Sequence, residues 1–402
     1  MAELLIVGGG PAGMMAGYLF ARAGVATKVI EKHADFFRDF RGDTVHPSTM
    51  EILAQLGLLE RFLKRPHNRI DKAAIRIGGQ DWTIGDLSHL DTPAPFIAMM
   101  PQWEFLDFLR GEANKLPSFD LTMEEPVVGF LEDRDRVIGI EYASGRTERA
   151  GQLVIAADGR GSLVRSLGML PVEQLGAPMD VLWFKLPKSD DGGDALRGSI
   201  EPGRMVVLID RDDYWQAAYL IPKGSESDVR ARGLDWLRAQ VSEAFPDVDL
   251  SGAFPEVDEE VKLLSVALDR LTAWSRPGLL AIGDAAHAMS PIGGIGINLA
   301  IQDAVAAANA LAGPMARGVD IDPLLAKVER RRLFPTRLIQ AGQKAAQDNI
   351  IQAVLAGGPV KVPLIIRMLD RFPLLRRIPG RLIGLGVRRE RVRSPTQPPP
   401  AV

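Results

Sequence analysis

Leu4-Leu5-Ile6-Val7 is an unbroken apolar run that stops at three glycines. A run this short with no polar alternation reads as a strand buried on both faces. Met14 to Ala23 then reads as a helix closed by Gly24, and Thr27-Lys28-Val29-Ile30-Glu31 as a second strand ending on an acid. Strand, helix and strand within about thirty residues make one βαβ unit. Pro47-Ser48-Thr49 opens a further helix, in which Met50, Ile52, Leu53, Leu56 and Leu59 fall at roughly helical spacing.

The pattern changes at residue 72, where Ala74 to Ile77 and Trp82 to Ile84 flank Gly78-Gly79 as a hairpin. A helix is expected from Gln102 to Asn114, followed by an antiparallel meander of Val127–Glu132, Val137–Tyr142 and Thr147–Arg149. Leu153 to Ala157 is a buried strand ending at Asp158-Gly159. Residues 178–222 are mostly strand, with runs at Val181–Leu186, Met205–Ile209 and Tyr214–Ile221, and a helix is expected over Val229–Phe245. Leu279–Ile282 reads as a strand reaching Gly283-Asp284, and a helix follows from Gly296 to Ala312. The remainder is mostly helical, and the proline-rich end, Ser394 to Val402, reads as a disordered tail.

The two β-rich blocks interrupt the α/β pattern instead of following it. The expected fold is therefore α/β, a Rossmann-like dinucleotide domain interwoven with a β-sheet substrate domain, plus a helical C-terminal region. The dinucleotide domain takes residues 1–71, 100–177 and 268–330, and the substrate domain 72–99 and 178–267. The C-terminal helical region takes 331–393 and the tail 394–402.

Composition narrows the chemistry. The 402 residues, 46% hydrophobic and 25% charged, suffice for two or three domains. A net charge of -3 gives no reason to expect a nucleic-acid partner. With no cysteine, disulfides, thiolate metal sites and a catalytic thiol are excluded, and the five histidines show no ligand spacing, so no metal is expected. Neither a signal-peptide pattern nor an uninterrupted apolar run of ~18 residues is found, so a cytoplasmic protein, at most peripherally attached to a membrane, is expected. The charge is uneven: residues 361–393 hold ten Lys and Arg against two acids, a local +8 that leaves -11 elsewhere.

Gly8-x-Gly10-x-x-Gly13 lies between the first strand and helix, the context that gives the pattern meaning. The first glycine permits a tight turn, the second lets backbone approach a pyrophosphate, and the third lets helix and strand pack closely. Pro11 and Ala12 open the helix, whose N-terminus offers unpaired N–H groups to phosphate. Glu31, eighteen residues after Gly13, can accept hydrogen bonds from ribose hydroxyls, and an acid there argues against a 2′-phosphate. Lys32 beside it is a further cofactor-binding candidate. The loop alone does not choose between FAD and NAD.

Two later motifs make that choice. Ala157-Asp158-Gly159-Arg160-Gly161-Ser162-Leu163-Val164-Arg165 and Gly283-Asp284-Ala285-Ala286-His287-Ala288-Met289-Ser290-Pro291, continuing through Gly293-Gly294-Ile295-Gly296-Ile297-Asn298 to Asp303-Ala304, together with the glycine loop resemble the class A flavoprotein monooxygenases. The para-hydroxybenzoate hydroxylase type is their best-known member, and motif order and separation agree over residues 1 to about 312. The resemblance implies FAD, reduced by NADPH or NADH as co-substrate, and O2, with oxygen passed through a flavin hydroperoxide to an aromatic or polyketide-like small molecule. It adds Arg41, Gln102 and Asp158 to the cofactor candidates. Independently, Asp284 after a buried strand can accept from ribityl hydroxyls. Pro291, Gly294, Gly296 and Asn298 belong to a loop and helix start where a flat ring could lie on bare backbone. Ile295 stands where many members have a polar residue.

Substrate contacts are expected from the second β block, with Trp183, Arg204, Trp215 and Tyr219 as candidates. Strand alternation puts Tyr214, Gln216 and Ala218 on one face and Trp215, Ala217 and Tyr219 on the other, without saying which meets the flavin. His46 is the catalytic candidate, since imidazole suits a general base, with a capping or solvated role as the alternative. The basic, apolar stretch from Val362 to Val387 is either an interfacial segment drawn to anionic lipid or helices packed on the dinucleotide domain, with Pro363, Pro373 and Pro379 breaking any long helix. The other functional readings are an isoprenoid reductase, a flavin halogenase, whose Trp-x-Trp-x-Ile-Pro signature is missing, and a non-catalytic flavin-binding module at a membrane surface.

Overall fold

Leu4–Val7 is a central strand of a six-stranded sheet, flanked in register by Leu153–Ala156 on one side and Thr27–Ile30 on the other, both parallel to it. The computed structural model describes residues 2–37, 44–188, 196–211, 213–250, 254–255, 258–358 and 362–397. Leu279–Ala281 extends the parallel sheet beyond Leu153–Ala156, Phe119–Thr122 extends it beyond Thr27–Ile30, and Ser275–Arg276 closes one edge antiparallel. The chain thus moves outward from Leu4–Val7 in one direction first and in the other later. A crevice is expected at the carboxyl ends of strands where such a reversal occurs. All four residues of Leu4–Val7 are buried, which is why the run carries no polar alternation.

Helix Pro11–Arg22 covers one face of this sheet and packs against helix Gly296–Ala316. The latter is long and apolar enough to cross a membrane, yet it is a core helix: 72% of its most apolar window is buried. The meander forms its own small sheet of Val127–Asp133, Arg136–Tyr142 and Thr147–Arg149.

A seven-stranded sheet unites the two β-rich blocks. Its order is Lys262–Leu264, Met179–Pro187, Tyr214–Pro222, Arg204–Asp210, Leu196–Glu201, Lys72–Ile77 and Gln80–Asp86. Only Leu196–Glu201 with Lys72–Ile77 is a parallel pair, and it joins the blocks across more than a hundred residues of chain. One face of the sheet, with Phe184, Trp215, Ala217 and Tyr219, packs on helix Leu234–Ala244. The opposite face, with Val181, Trp183, Ala218 and Leu220, packs on Ile97, Ile292, Ile351 and Ile383.

Several elements depart from the sequence expectations. The helix expected over Val229–Phe245 is two, Glu226–Arg230 and Leu234–Ala244, because Gly233 between them adopts φ 80°. The helix opened by Pro47 stops at Gln55, and a separate turn, Leu59–Phe62, follows Gly57. Ile97–Met99, placed with the substrate block, pairs instead with Thr44–Val45 and Asn68–Ile70. Helix Asp322–Ala346 runs straight through the boundary set at residue 330. Within the tail, Ser394 and Gln397 are not free: Ser394 N–H donates to Asn309 Oδ1 (2.9 Å) and Gln397 N–H to the Arg22 carbonyl (2.9 Å). Hydrogen bonds of this kind hold an irregular, proline-rich segment that composition alone reads as disordered.

Candidate functional site

The loops that follow three adjacent parallel strands meet at one edge of the six-stranded sheet: Gly8–Gly13, Asp158–Ser162 and Gly283–Ala286. In the first, Gly8 has φ 104°, and a Cβ on it would lie 2.4 Å from the Ala157 carbonyl oxygen. A Cβ on Gly13 would lie 1.9 Å from the Gly8 carbonyl oxygen, so neither position accepts a side chain. Gly10 differs, since a Cβ there would meet nothing within 4 Å. The loop therefore has two glycines that fold it and one that faces open space at the N-terminus of helix Pro11–Arg22. Glu31 braces the loop, with Oε2 accepting the Gly9 N–H (2.8 Å) and Oε1 the His33 N–H (3.1 Å). This bracing fixes the buried Glu31 carboxylate beside the glycine loop. Lys32 is exposed beside it, and burial pushes the nearby Asp158 carboxyl up, opposed in part by Leu163 N–H on its Oδ2 (2.8 Å) and by the charge of Lys32.

Gly283 is wedged between the starts of two helices, its would-be Cβ 3.0 Å from Ala12 Cβ and 3.2 Å from Ala300 Cβ. The close approach brings the amino ends of Pro11–Arg22 and Gly296–Ala316 to one place, and both contribute positive dipole ends. Asp284, partly exposed, pairs with Arg160 Nε at 3.2 Å. Beyond it, Pro291 to Gly294 form a single turn. A Cβ on Gly294 would lie 2.4 Å from Thr44 Oγ1, which donates to the Gly294 carbonyl at 2.7 Å. Asn298 has its side chain turned into the protein: Oδ1 accepts from His46 N–H (2.8 Å) and Thr49 Oγ1 (2.7 Å), and Nδ2 donates to the Thr44 carbonyl (3.2 Å). What Asn298 and Gly296 can offer a cofactor is backbone at a helix start. The open space at Gly10 and the two convergent helix starts suit an elongated anionic cofactor such as FAD, pyrophosphate at one helix and ring at the other.

Gln102, the half-buried first residue of helix Gln102–Ala113, follows the strand that pairs with Thr44–Val45. Arg41 lies outside the described residues. Of the four substrate candidates, only Trp183 is on the sheet face that meets the Pro291–Gly294 turn. Trp215 and Tyr219 are in the opposite layer, Tyr219 edge-on to Trp236 at 5.8 Å, and Arg204 is held there by Glu201 and Glu243. Strand alternation named the two faces, and packing on helix Leu234–Ala244 decides between them.

His46 is neither solvated nor a side-chain cap. It is fully buried, and its Nδ1 meets the Ile383 carbonyl at 2.8 Å, so the neutral ring donates there and keeps its proton off Nε2. Burial pushes its pKa down to about 4, against the Ile383 hydrogen bond, which favours the charged ring. A base with so low a pKa holds a proton poorly at neutral pH, which argues for positioning over proton transfer. In the unfolded chain the ring titrates near 6.5, so its contribution to stability is complete above that pH and is lost as pH falls toward 4. Over that window it amounts to roughly 3 kcal/mol. Denaturant unfolding followed between pH 7 and pH 4.5 should therefore show a decline that His46→Leu flattens, and an unchanged slope would refute the assignment.

Gln343 and Arg332 shape the site without any sequence signal of their own, whereas Asp303 and His287 lie in the third motif with no contact foreseen for them. Gln343, on helix Asp322–Ala346, clamps the loop around the Pro291–Gly294 turn by donating to the Ser290 (2.9 Å) and Ile292 (3.0 Å) carbonyls. Asp303 accepts from Gly283 N–H (3.1 Å), His287 Nε2 (2.6 Å) and Arg332 Nε (2.8 Å), all fully or nearly buried. Burial opposes ionisation of Asp303, yet His287 and Arg332 outweigh it and hold the carboxyl below its usual range. Gln216 shares the face of Trp183 and Ala218; its Oε1 accepts from Arg211 (2.6 Å), while its buried Nε2 has no partner. Among the described residues no group of three His, Asp or Glu side chains could hold a metal ion.

Comparison with known proteins bears on this arrangement. Residues 1–341 match the family model described as an FAD binding domain. The 6-methylpretetramide 4-monooxygenase of Streptomyces rimosus is 30% identical over 403 residues, spanning 98% of this chain and 94% of that protein. The protoasukamycin 4-monooxygenase of Streptomyces nodosus subsp. asukaensis is 26% identical over 342 residues, 79% of this chain and 81% of that one. Among solved structures, p-nitrophenol 4-monooxygenase from Pseudomonas putida DLL-E4 superposes with a TM-score of 0.79 at 21% identity, covering 97% of this chain and 99% of that one, a likeness of fold.

Proposed function

This chain belongs to the class A FAD-dependent monooxygenases, and from that premise we propose that it hydroxylates an aromatic or polyketide-like small molecule with electrons from NADPH or NADH. The observation that carries the reading is the apolar layer between the seven-stranded sheet and the Pro291–Gly294 turn, lined by Val181, Trp183, Ala218, Leu220 and Ile292. Gly10 and the start of helix Pro11–Arg22 would hold the pyrophosphate, Glu31 the ribose, and Asp284 the ribityl chain. The bound FAD supplies the electron transfer and the activation of O2.

The protein's own part is binding, orientation and the exclusion of water. Aliphatic and indole side chains on the sheet face would give a dry surface to a flat substrate admitted between them and the turn around Ile292. Ile351, Leu355 and Ile383 close that layer from the C-terminal side. Gln216 Nε2, buried and unpartnered on the same face, supplies a donor to an oxygen of the substrate, and its carbonyl side is fixed by Arg211. Gln343 and Thr44 keep the opposite wall, the turn around Ile292 and Gly294, from shifting.

The test is anaerobic reduction of the FAD-loaded protein by NADPH and by NADH with and without a panel of phenols and polycyclic phenolic ketones, then admission of O2 and mass analysis. Substrate-stimulated reduction followed by the gain of one oxygen atom is expected. A product merely saturated, or no reduction with any donor, would sink the proposal. Gln216→Leu should raise KM for a phenolic substrate by about tenfold, the worth of one hydrogen bond, while leaving reduction without substrate unaltered.

A further inference from the structure

Helix Leu364–Arg371, the turn Pro373–Arg376 and helix Arg377–Leu385 pack side by side on the edge strand Gln80–Asp86 of the seven-stranded sheet. Their inward faces are committed. Leu369 is buried, Ile366 packs on Ile77, Ile200 and Val354, and a Cβ on Gly380 would lie 2.0 Å from the Asp86 carbonyl oxygen. Gly384 is also closely placed, its would-be Cβ 2.7 Å from the Leu90 side chain. Contacts this close fix which faces look outward.

Those outward faces are apolar. Leu364, Ile365, Met368, Phe372, Leu374, Ile378 and Leu382 are 40–73% exposed, half of the large hydrophobic side chains exposed among the described residues although they come from one nineteen-residue stretch. Their spacing is helical: 364, 368 and 372 form one stripe, and 374, 378 and 382 another. Arginines stand immediately before four of them, as Arg367-Met368, Arg371-Phe372, Arg377-Ile378 and Arg381-Leu382, so each stripe has a cationic margin on the same side. All four arginines are exposed and none forms an ion pair among the described residues, whereas Arg376 is tied to Asp370 at 3.1 Å. Apolar side chains beside free guanidinium groups are the composition of a helix lying in the headgroup region of a membrane, with arginine stems lying along the apolar boundary.

We infer that residues 364–382 form a docking surface for an anionic lipid bilayer. Charge complementarity selects this occupant over a second copy of the chain. A two-fold self-contact would bring the four free arginines against their own counterparts, with Asp370 already paired. An anionic headgroup layer satisfies the arginines and the acyl boundary receives the apolar stripes, each arginine near such a surface adding to the attraction. The surface also communicates with the site. Helix Arg377–Leu385 carries the Ile383 carbonyl that holds His46, and the His46 N–H bonds Asn298 at the start of helix Gly296–Ala316. Docking therefore places the cofactor end of the molecule next to the bilayer without depending on which reaction is run.

The test is co-sedimentation of the FAD-loaded full chain with vesicles of phosphatidylcholine alone and of phosphatidylcholine with 30 mol% phosphatidylglycerol, at low and at high salt. Binding to the anionic vesicles that exceeds the zwitterionic by at least tenfold and weakens with salt is the expected result. Ile378→Ser with Leu382→Ser, and separately Arg377→Gln with Arg381→Gln, should each lower that binding tenfold or more while FAD content and far-ultraviolet circular dichroism stay as in the parent. No binding, or equal binding to both vesicle types, would overturn the inference. So would sedimentation velocity showing a dimer that the Ile378→Ser, Leu382→Ser variant dissociates.

Discussion

Gly10→Asp should leave the fold intact and abolish FAD binding. The position tolerates a side chain as far as the protein is concerned, since a Cβ there meets nothing within 4 Å, and the backbone at φ -70° suits any residue. The space it would fill is the one proposed above for the pyrophosphate, at a helix N-terminus whose N–H groups and dipole attract anions. A carboxylate takes both the space and the electrostatic attraction. Removing a close phosphate contact and adding a like charge in a partly buried site should weaken FAD at least 100-fold, about 3 kcal/mol or more. Denaturant unfolding of the apoprotein should stay within about 1 kcal/mol of the parent. Fluorescence titration with FAD gives the first quantity and urea melts the second. Parent-like affinity would mean that the pyrophosphate is held elsewhere. Gly13→Ala is the contrasting control: its Cβ would sit 1.9 Å from backbone, so it should lower stability and cofactor affinity together.

The second large effect is expected at Asp303→Ala, in a network that touches no cofactor candidate directly except through Gly283. Asp303, His287 and Arg332 have no exposed side-chain surface. Taking away the carboxylate leaves the Arg332 guanidinium buried, with Glu390 (3.6 Å) as its remaining acidic neighbour. Breaking a buried ion pair from one side costs roughly 3–5 kcal/mol, because the surviving charge stays desolvated. The Gly283 N–H also loses its acceptor, so the Gly283–Asp284 loop should loosen and FAD should dissociate faster. Urea unfolding and the FAD off-rate after dilution are the measurements. A loss below about 1 kcal/mol would show that water or Glu390 compensates fully. Asp303→Asn, which keeps an acceptor for Gly283, should fall between the parent and the alanine variant.

Local pattern carried much of this fold, for identifiable reasons. Leu4–Val7 and Leu153–Ala156 are each four consecutive buried residues, so their strands appear as unbroken apolar runs that need no partner to be recognised. Gly8 and Gly13 are legible because sterics at backbone range leave no other residue possible. The helix split at Gly233 and the break after Gln55 are where the reading failed: an apolar stripe continues across a turn if the next helix reuses the same core, and spacing alone does not show the interruption. Ser394–Gln397 failed for a different reason, since proline content says how a segment behaves alone and not what docks it.

At the site the division is sharper. The chain proposes cofactor contacts where a local motif carries them, as at Gly10, Pro11 and Asp284, each beside a strand end or helix start. Contacts made across the fold it does not reveal. Gln343 reaches Ile292 from fifty-one positions away, Thr44 reaches Gly294 across 250, and the orientation of His46 depends on Ile383, 337 positions downstream. The same holds for the two faces of the Tyr214–Pro222 strand. A period of two separates Trp215 and Tyr219 from Ala218, but burial of both faces removes the polar contrast that would tell the side facing the Pro291–Gly294 turn from the side facing helix Leu234–Ala244. The C-terminal stripes complete the picture. Their arginines and leucines are plain in the chain, and whether those leucines are buried is not. Gly380 and Gly384, pressed against the edge strand and Leu90, turn them outward, because a helix of 3.6 residues per turn that buries one side must show the other.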